Sequence, residues 1–139
     1  MKPEIFEFEI VVSASAIDDM NHVNNLQYLE WCLDAASRHW QRNTSEEIRK
    51  AFVWYVIKHE ISYHAAAFEG ETLLIRTWVN YSEGVKSERE YAIRRKSDDK
   101  LLVEAKTLWC LLNAETQRPA KITDEIRNLF VKAEDNEDN

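Results

Sequence analysis

The chain has 139 residues, 45% of them hydrophobic and 11% aromatic, and a formal net charge of −7. That length bounds one domain with a sizeable core, and the composition excludes a disordered chain. The acidic balance argues against broad binding to nucleic acid or to an anionic membrane, so neither is expected as a partner.

The first seven residues contain no continuous apolar signal region, and a cytoplasmic, reduced setting is the default expectation. Phe6, Phe8, Ile10 and Val12 alternate with Glu7, Glu9 and Val11, a period of two that predicts a strand with one buried face. Residues 13–24 read as a loop. A helix is predicted from residue 26 to about residue 42. In it Gln27, Glu30, Asp34, Arg38 and Gln41 recur at steps of three and four and form one narrow polar stripe. The rest of its surface is mostly apolar, which inverts the usual proportions of a surface helix. Such a helix must be wrapped by other elements, yet it is too short and too polar to span a membrane. Thr44 with Glu47 reads as a capping box opening a short helix at residues 48–50.

Residues 52–64 are rich in β-branched and aromatic side chains and predict a strand. Strict alternation puts Val53, Tyr55, Ile57, His59, Ile61 and Tyr63 towards the helix, and Trp54, Val56, Lys58, Glu60, Ser62 and His64 on the opposite face. Further strands follow at residues 72–81, 86–96 and 101–113, with turns at Gly70 and Gly84 and a polar hairpin at residues 97–100. Short turns make these strands antiparallel. Thr123 starts a helix read to about residue 132, and residues 133–139 read as an acidic, disordered tail. The expected fold class is therefore α+β, one domain over residues 1–132, with an antiparallel sheet curled around one long helix. The outer sheet face would carry Trp54, Val56, Leu74, Trp78, Leu108, Cys110 and Leu112. That is too much apolar surface to leave in water, and the sheet has free edges, so a homodimer or homotetramer is expected.

The chain has neither a phosphate-binding glycine loop, a Gly-x-Ser-x-Gly elbow nor a zinc spacing. Cys32 and Cys110 form no disulfide framework or metal cluster and read as small buried residues. No metal or tightly bound cofactor is expected. Asp18 and Asp19 precede the helix. A carboxylate beside the free N–H groups of a helix N-terminus can serve as base or nucleophile while the helix end holds an oxyanion. The plainer role is to cap a turn. His22 either assists at that site or bonds to backbone. His59 is either a hydrogen-bonded core histidine or a contact near Asp18. Arg94, Arg95 and Lys96 are either a solvated turn or a phosphate site.

The run Asp18-Asp19-Met20-Asn21-His22-Val23-Asn24-Asn25-Leu26-Gln27-Tyr28-Leu29-Glu30-Trp31 resembles the hotdog-fold thioesterases. The likeness is to the 4-hydroxybenzoyl-CoA and acyl-CoA thioesterase branch, whose signature runs Asp-x-Asp-x-x-Gly-His-Val-Asn-Asn-x-x-Tyr. Plant acyl carrier protein thioesterases carry a similar His-Val-Asn-Asn block. The similarity continues through Lys58-His59-Glu60-Ile61-Ser62-Tyr63, Gly70-Glu71, Arg76-Thr77-Trp78-Val79, Thr107-Leu108-Trp109 and Arg118-Pro119. It implies a sheet wrapped around a central helix, edge-to-edge dimers that often pair into tetramers, and hydrolysis of an acyl thioester at the dimer interface. Aligned on His22, the catalytic carboxylate falls on Asp18, and the backbone N–H of Asn25 polarises the carbonyl. Asn24 and His59 fall among the substrate-binding positions, and coenzyme A phosphates would lie near Arg94, Arg95 and Lys96. Two departures stand out: Ala16 replaces the first signature Asp, and Asn21 replaces the Gly, though Asn can still adopt a left-handed turn. An alignment on Asp-Met-Asn favours Asp19 instead. The leading expectation is an acyl-CoA thioesterase. An acyl carrier protein thioesterase, a hotdog dehydratase and a non-catalytic acyl-binding protein are the alternatives.

Overall fold

The mostly apolar helix is wrapped as its composition demands. In a computed structural model, which describes residues 1–133, α1 (Asn25–Asn43) buries Tyr28, Cys32, Ala35, Ala36 and His39. The sheet that covers it has five strands: β2 (Phe6–Val11), β3 (Phe52–Tyr63), β4 (Thr72–Glu83), β5 (Lys86–Arg95) and β6 (Leu101–Asn113). Their spatial order is β2-β4-β5-β6-β3, and every pairing is antiparallel. The helix face meets Leu73, Ile75, Tyr91, Ile93 and Val103, all at most 2% exposed. Burying each such side chain contributes about 1.5–3 kcal/mol, and this packing, more than helix propensity, holds α1 in place. A second cluster of Leu111, Ile122 and Ile126 packs against Trp40 and Trp54 beside the C-terminal half of α1.

Three sequence expectations are corrected. Strict alternation fails in β3, because a bulge shifts its register against β6 between Val56 and Lys58. One extra residue reverses the parity before it. Trp54 therefore faces inward, its ring 5.5 Å from that of Trp40 in an edge contact, while Val53, Tyr55 and Ile57 are exposed. His59 and Ile61, beyond the bulge, keep the expected inward face. The short helix α2 (Glu46–Ala51) is capped by Ser45, whose hydroxyl accepts from the Ile48 N–H at 3.2 Å. Thr44 instead closes α1, its hydroxyl donating to the Trp40 carbonyl. The last helix, α3 (Asp124–Asn128), stops well before residue 132. Phe130 is buried against His39 and Trp40, and the chain leaves as β7 (Val131–Lys132), which pairs with the equally short β1 (Lys2–Pro3). Two-residue strands carry no periodic signal. Residues 134–139, most of the expected acidic tail, lie outside the described residues. Among the described residues, no helix is long and apolar enough to cross a membrane.

Candidate active site

Buried residues fix the mouth of α1. Val23 is 1% exposed, and its N–H donates to the Ala67 carbonyl at 2.9 Å. The Tyr28 hydroxyl, equally buried, accepts from the Ala67 N–H at 2.9 Å. Between these anchors the chain must turn into helix. Asn24 does this as the N-cap: its backbone is extended, and its Oδ1 accepts from the Leu26 N–H at 2.8 Å. The Gln27 N–H donates to the Asn24 carbonyl at 2.9 Å. The Asn25 N–H, first in the helix, donates to none of the described residues. It is the helix-terminal donor left open to an anion, in the field of the dipole.

The preceding loop folds back on itself. Ile17 and Val23 form an antiparallel bridge, the Asp18 N–H donates to the His22 carbonyl at 3.0 Å, and the Asn21 N–H donates to the Asp18 carbonyl at 3.0 Å. Closing so tight a turn requires a left-handed residue, and Asn21 has φ 68°. The backbone shape thus survives the replacement of the signature Gly. Asp18 Oδ1 accepts from the Met20 N–H at 2.8 Å, and His22 Nδ1 lies 3.8 Å from that oxygen and 3.4 Å from the Val23 carbonyl. Asp18 therefore fills the plain role of capping a turn. One oxygen of Asp18 secures the turn, while Oδ2 accepts from no described residue. Asp19 is exposed, and its side chain bonds to none of the described residues.

β3 reaches this mouth through Tyr63, whose hydroxyl donates to the Asn25 carbonyl at 3.2 Å. His59 lies four residues back along the same strand, ~13 Å at the usual rise. Its Nδ1 is 2.9 Å from Thr107 Oγ1, which also accepts from the Tyr91 hydroxyl at 3.0 Å. The Thr107 hydroxyl can donate to His59 Nδ1 or accept from it, so it links the imidazole to Tyr91 in either tautomer. Burial pulls the His59 pKa down, in keeping with a neutral ring. His59 is thus a hydrogen-bonded interior histidine, and it makes no contact with Asp18.

Arg94, Arg95 and Lys96 do not act together. Arg95 Nε lies 2.7 Å from Glu71 Oε2, its Nη1 donates to Asp98 Oδ2 at 2.9 Å and its Nη2 to the Ala66 carbonyl at 2.9 Å. Lys96 pairs with Glu9. Arg94 donates to the Asp99 carbonyl at 3.0 Å, borders a depression with Trp78, Glu90 and Lys106, and has no described carboxylate partner. Strand alternation separates neighbours in sequence onto different faces. Cys32 is buried, and burial pushes its thiol up to about 12, so it is no nucleophile.

Two buried polar residues, His39 and Arg89, escape the sequence reading. A signal was present for the second: Arg89 shares its strand parity with the inward Tyr91 and Ile93. Among the described residues, no group of three His, Cys, Asp or Glu side chains is placed to hold a metal ion.

A family model for the thioesterase-like superfamily matches residues 12–130. Among curated proteins, the chain is similar to the chloroplastic palmitoyl-acyl carrier protein thioesterase of Cuphea hookeriana. The two are 27% identical over 116 residues, 84% of this chain and 28% of that relative, so the chain spans little more than a quarter of its length. Among solved structures, the 1,4-dihydroxy-2-naphthoyl-CoA thioesterase of Synechocystis matches with a TM-score of 0.79 at 18% identity, covering 91% of this chain and 95% of that one. A Staphylococcus aureus hypothetical protein solved in complex with CoA matches with a TM-score of 0.81 at 14% identity, covering 93% and 83%. These likenesses are of fold, and the shared fold is the expected hotdog arrangement.

Proposed function

The chain belongs to the thioesterase-like superfamily, and from that premise we propose that it hydrolyses acyl-CoA thioesters at the mouth of α1. The observation that carries this reading is that one short, bridged loop presents both a carboxylate oxygen, Asp18 Oδ2, and the Asn25 N–H, each without a partner among the described residues. Asp18 Oδ2 either takes a proton from an attacking water or attacks the carbonyl itself, forming an anhydride that water then opens. In the first route, and in the second when water attacks the acyl carbonyl of the anhydride, the oxygen of water ends in the free acid, and coenzyme A leaves as its thiol with a proton that water supplies. The carbonyl oxygen gains charge in the transition state, where the Asn25 N–H and the helix end can stabilise it. His22, beside Asp18 Oδ1, helps to position that carboxylate, and Asn24 holds the cap that aims the Asn25 N–H. His59 lines the interior on the same strand as Tyr63. For the nucleotide phosphates Arg94 is the first choice, because Arg95 and Lys96 already pair with carboxylates.

An acyl carrier protein substrate is the second reading, favoured by the likeness to the Cuphea enzyme. Both substrates share the thioester and differ in the carrier of its thiol, so release of free thiol from matched acyl-CoA and acyl carrier protein esters separates them. Hydrolysis of the CoA esters at comparable or higher kcat/KM is expected. Hydrolysis of carrier-protein esters alone would transfer the proposal to the second reading, and hydrolysis of neither would end it.

We also propose a homodimer formed along β3. It is an edge strand, and its outer side carries Val53, Tyr55 and Ile57 at 37%, 61% and 44% exposure. These residues replace Trp54 and Val56 in the argument for association, while Trp78, expected there too, is half-buried with its Nε1 donating to Glu90 at 3.0 Å. The two buried free cysteines suit a reducing, cytoplasmic setting.

A further inference from the structure

Arg89 lies on the inner face of β5 and is 5% exposed. Its Nη1 donates to His39 Nδ1 at 2.9 Å and to Thr77 Oγ1 at 3.2 Å, and its guanidinium carbon lies 5.7 Å from the centre of the Phe130 ring. No described carboxylate pairs with it. The one linked to it, Glu4, is a residue removed: His39 Nε2 is 2.8 Å from Glu4 Oε1. With Nδ1 accepting from Arg89, His39 carries its proton on Nε2 and is neutral. It orients the guanidinium without cancelling its charge. Burial lowers the Arg89 pKa to about 10, which leaves it cationic at neutral pH.

A buried cation without a counter-charge is costly, and natural interiors pair or hydrogen-bond such groups. Here Nε and Nη2 bond to no described residue. Arg89 borders a cavity of about 310 Å³ between the C-terminal half of α1 and the sheet. That volume is at the lower end for small-molecule sites, about 300–1,000 Å³. The remaining walls are mainly aromatic and aliphatic, among them Trp40, Trp54, Trp109, Phe52 and Ile122. Arg49 and Arg127 also border it, but Arg49 is held by the Gln41 and Thr44 carbonyls and Arg127 pairs with Asp124. Arg89 is thus the bordering cation without a described carboxylate or carbonyl partner, and it selects a ligand with one negative end and an apolar body. The open Nε and Nη2 form the planar fork that meets a carboxylate through two parallel hydrogen bonds.

We propose that this cavity binds a free monocarboxylic acid with an aliphatic or aromatic body, its carboxylate on Nε and Nη2 of Arg89. The site is distinct from the proposed reaction centre. The helix residues that border it start at Leu33, eight positions or ~12 Å beyond Asn25, and extend to Trp40. An acid of the class that thioester hydrolysis releases would thus be held away from the reacting carbonyl. Binding is measured without turnover, so its outcome is independent of the hydrolase reading.

The test titrates the full chain with octanoate and, separately, with 1-octanol, following tryptophan fluorescence and calorimetric heat. Octanoate should saturate at one per chain and bind at least about tenfold more tightly than octanol, the scale of one charge-assisted hydrogen bond. Arg89→Met keeps much of the side-chain packing, and it should bring the two ligands to within about twofold of each other. Arg89→Lys, which keeps the charge and loses the fork, should retain a reduced preference. Absence of saturable octanoate binding to the wild type, equal affinity for octanol, or a full preference surviving in Arg89→Met would each overturn the proposal. The first two are read on the wild type and hold even if a variant fails to fold.

Discussion

Replacing His39 with Gln should flatten the acid sensitivity of the fold. His39 is fully buried, with Nε2 towards Glu4 and Nδ1 towards Arg89. Burial first, and then the Arg89 charge, lower its pKa from the ordinary 6.5 to about 4. The unfolded chain therefore takes up this proton as the pH falls through 6.5, while the folded chain resists it until about 4. In that window the unfolded state binds more protons, so stability rises with pH and is lost on acidification. The gap between 6.5 and about 4, at about 1.4 kcal/mol per pH unit, corresponds to about 3 kcal/mol. Gln offers the same pattern, an amide N–H for Glu4 and a carbonyl for Arg89, without titrating. It gives up the ring contacts with Phe6 and Phe130, a loss of about 1–2 kcal/mol. Urea unfolding followed by circular dichroism at pH 7 and near pH 4 measures both effects. His39→Gln should be the less stable protein at pH 7 and the more stable one near pH 4. Curves that stay parallel across this range would refute the assignment of a neutral, doubly bonded His39.

Trp54→Ala should destabilise by about 3 kcal/mol or more and Tyr55→Ala by under about 1 kcal/mol, since only Trp54 faces the core; the reverse order in urea unfolding would remove the bulge argument. Arg94→Ala should raise the Michaelis constant for acyl-CoA esters with little change in kcat, because phosphate contacts are made equally in ground and transition states. Lys96→Ala should change neither, and a larger effect from Lys96 would relocate the nucleotide. Light scattering at micromolar concentration should report a dimer or larger assembly, and Tyr55→Glu on the exposed side of β3 should weaken it. A stable, active monomer would defeat the proposed association.

The helix and sheet were legible because each rests on a repeated pattern. The narrow polar stripe of α1 announced a wrapped helix, and placing Leu74 and Trp78 on the outer face of β4 left Leu73, Ile75 and Thr77, all buried, for its inner face. The loop shape could also be anticipated, since Asn is among the few residues that take the place of Gly at positive φ. What stayed hidden depends on single events. One bulged residue reverses every inward side chain of β3 before it, and nothing in the run of β-branched and aromatic residues marks where it falls. The two-residue pairing of β1 with β7 is too short to show a period. Arg89 sits in a strand rich in charge, where the default expectation for an arginine is solvent, and its partner His39 lies fifty positions away. Only the folded chain brings them together. The three cations after Ile93 show the opposite failure, because adjacency in sequence suggested a cluster that strand geometry divides.

The most direct test of the proposed chemistry is steady-state thiol release from a hydrolysed acyl-CoA ester by the wild type, Asp18→Asn and Asp19→Asn. Asn can retain the hydrogen bond to the Met20 N–H while removing the basic oxygen. Asp18→Asn should therefore fold normally and lose at least about a hundredfold in kcat, the scale of a positioned acid–base group. Asp19→Asn, whose carboxylate is exposed and without described partners, should keep most of its activity. Equal effects from both substitutions, or an inactive Asp19→Asn beside an active Asp18→Asn, would contradict the assignment of the reacting carboxylate to Asp18.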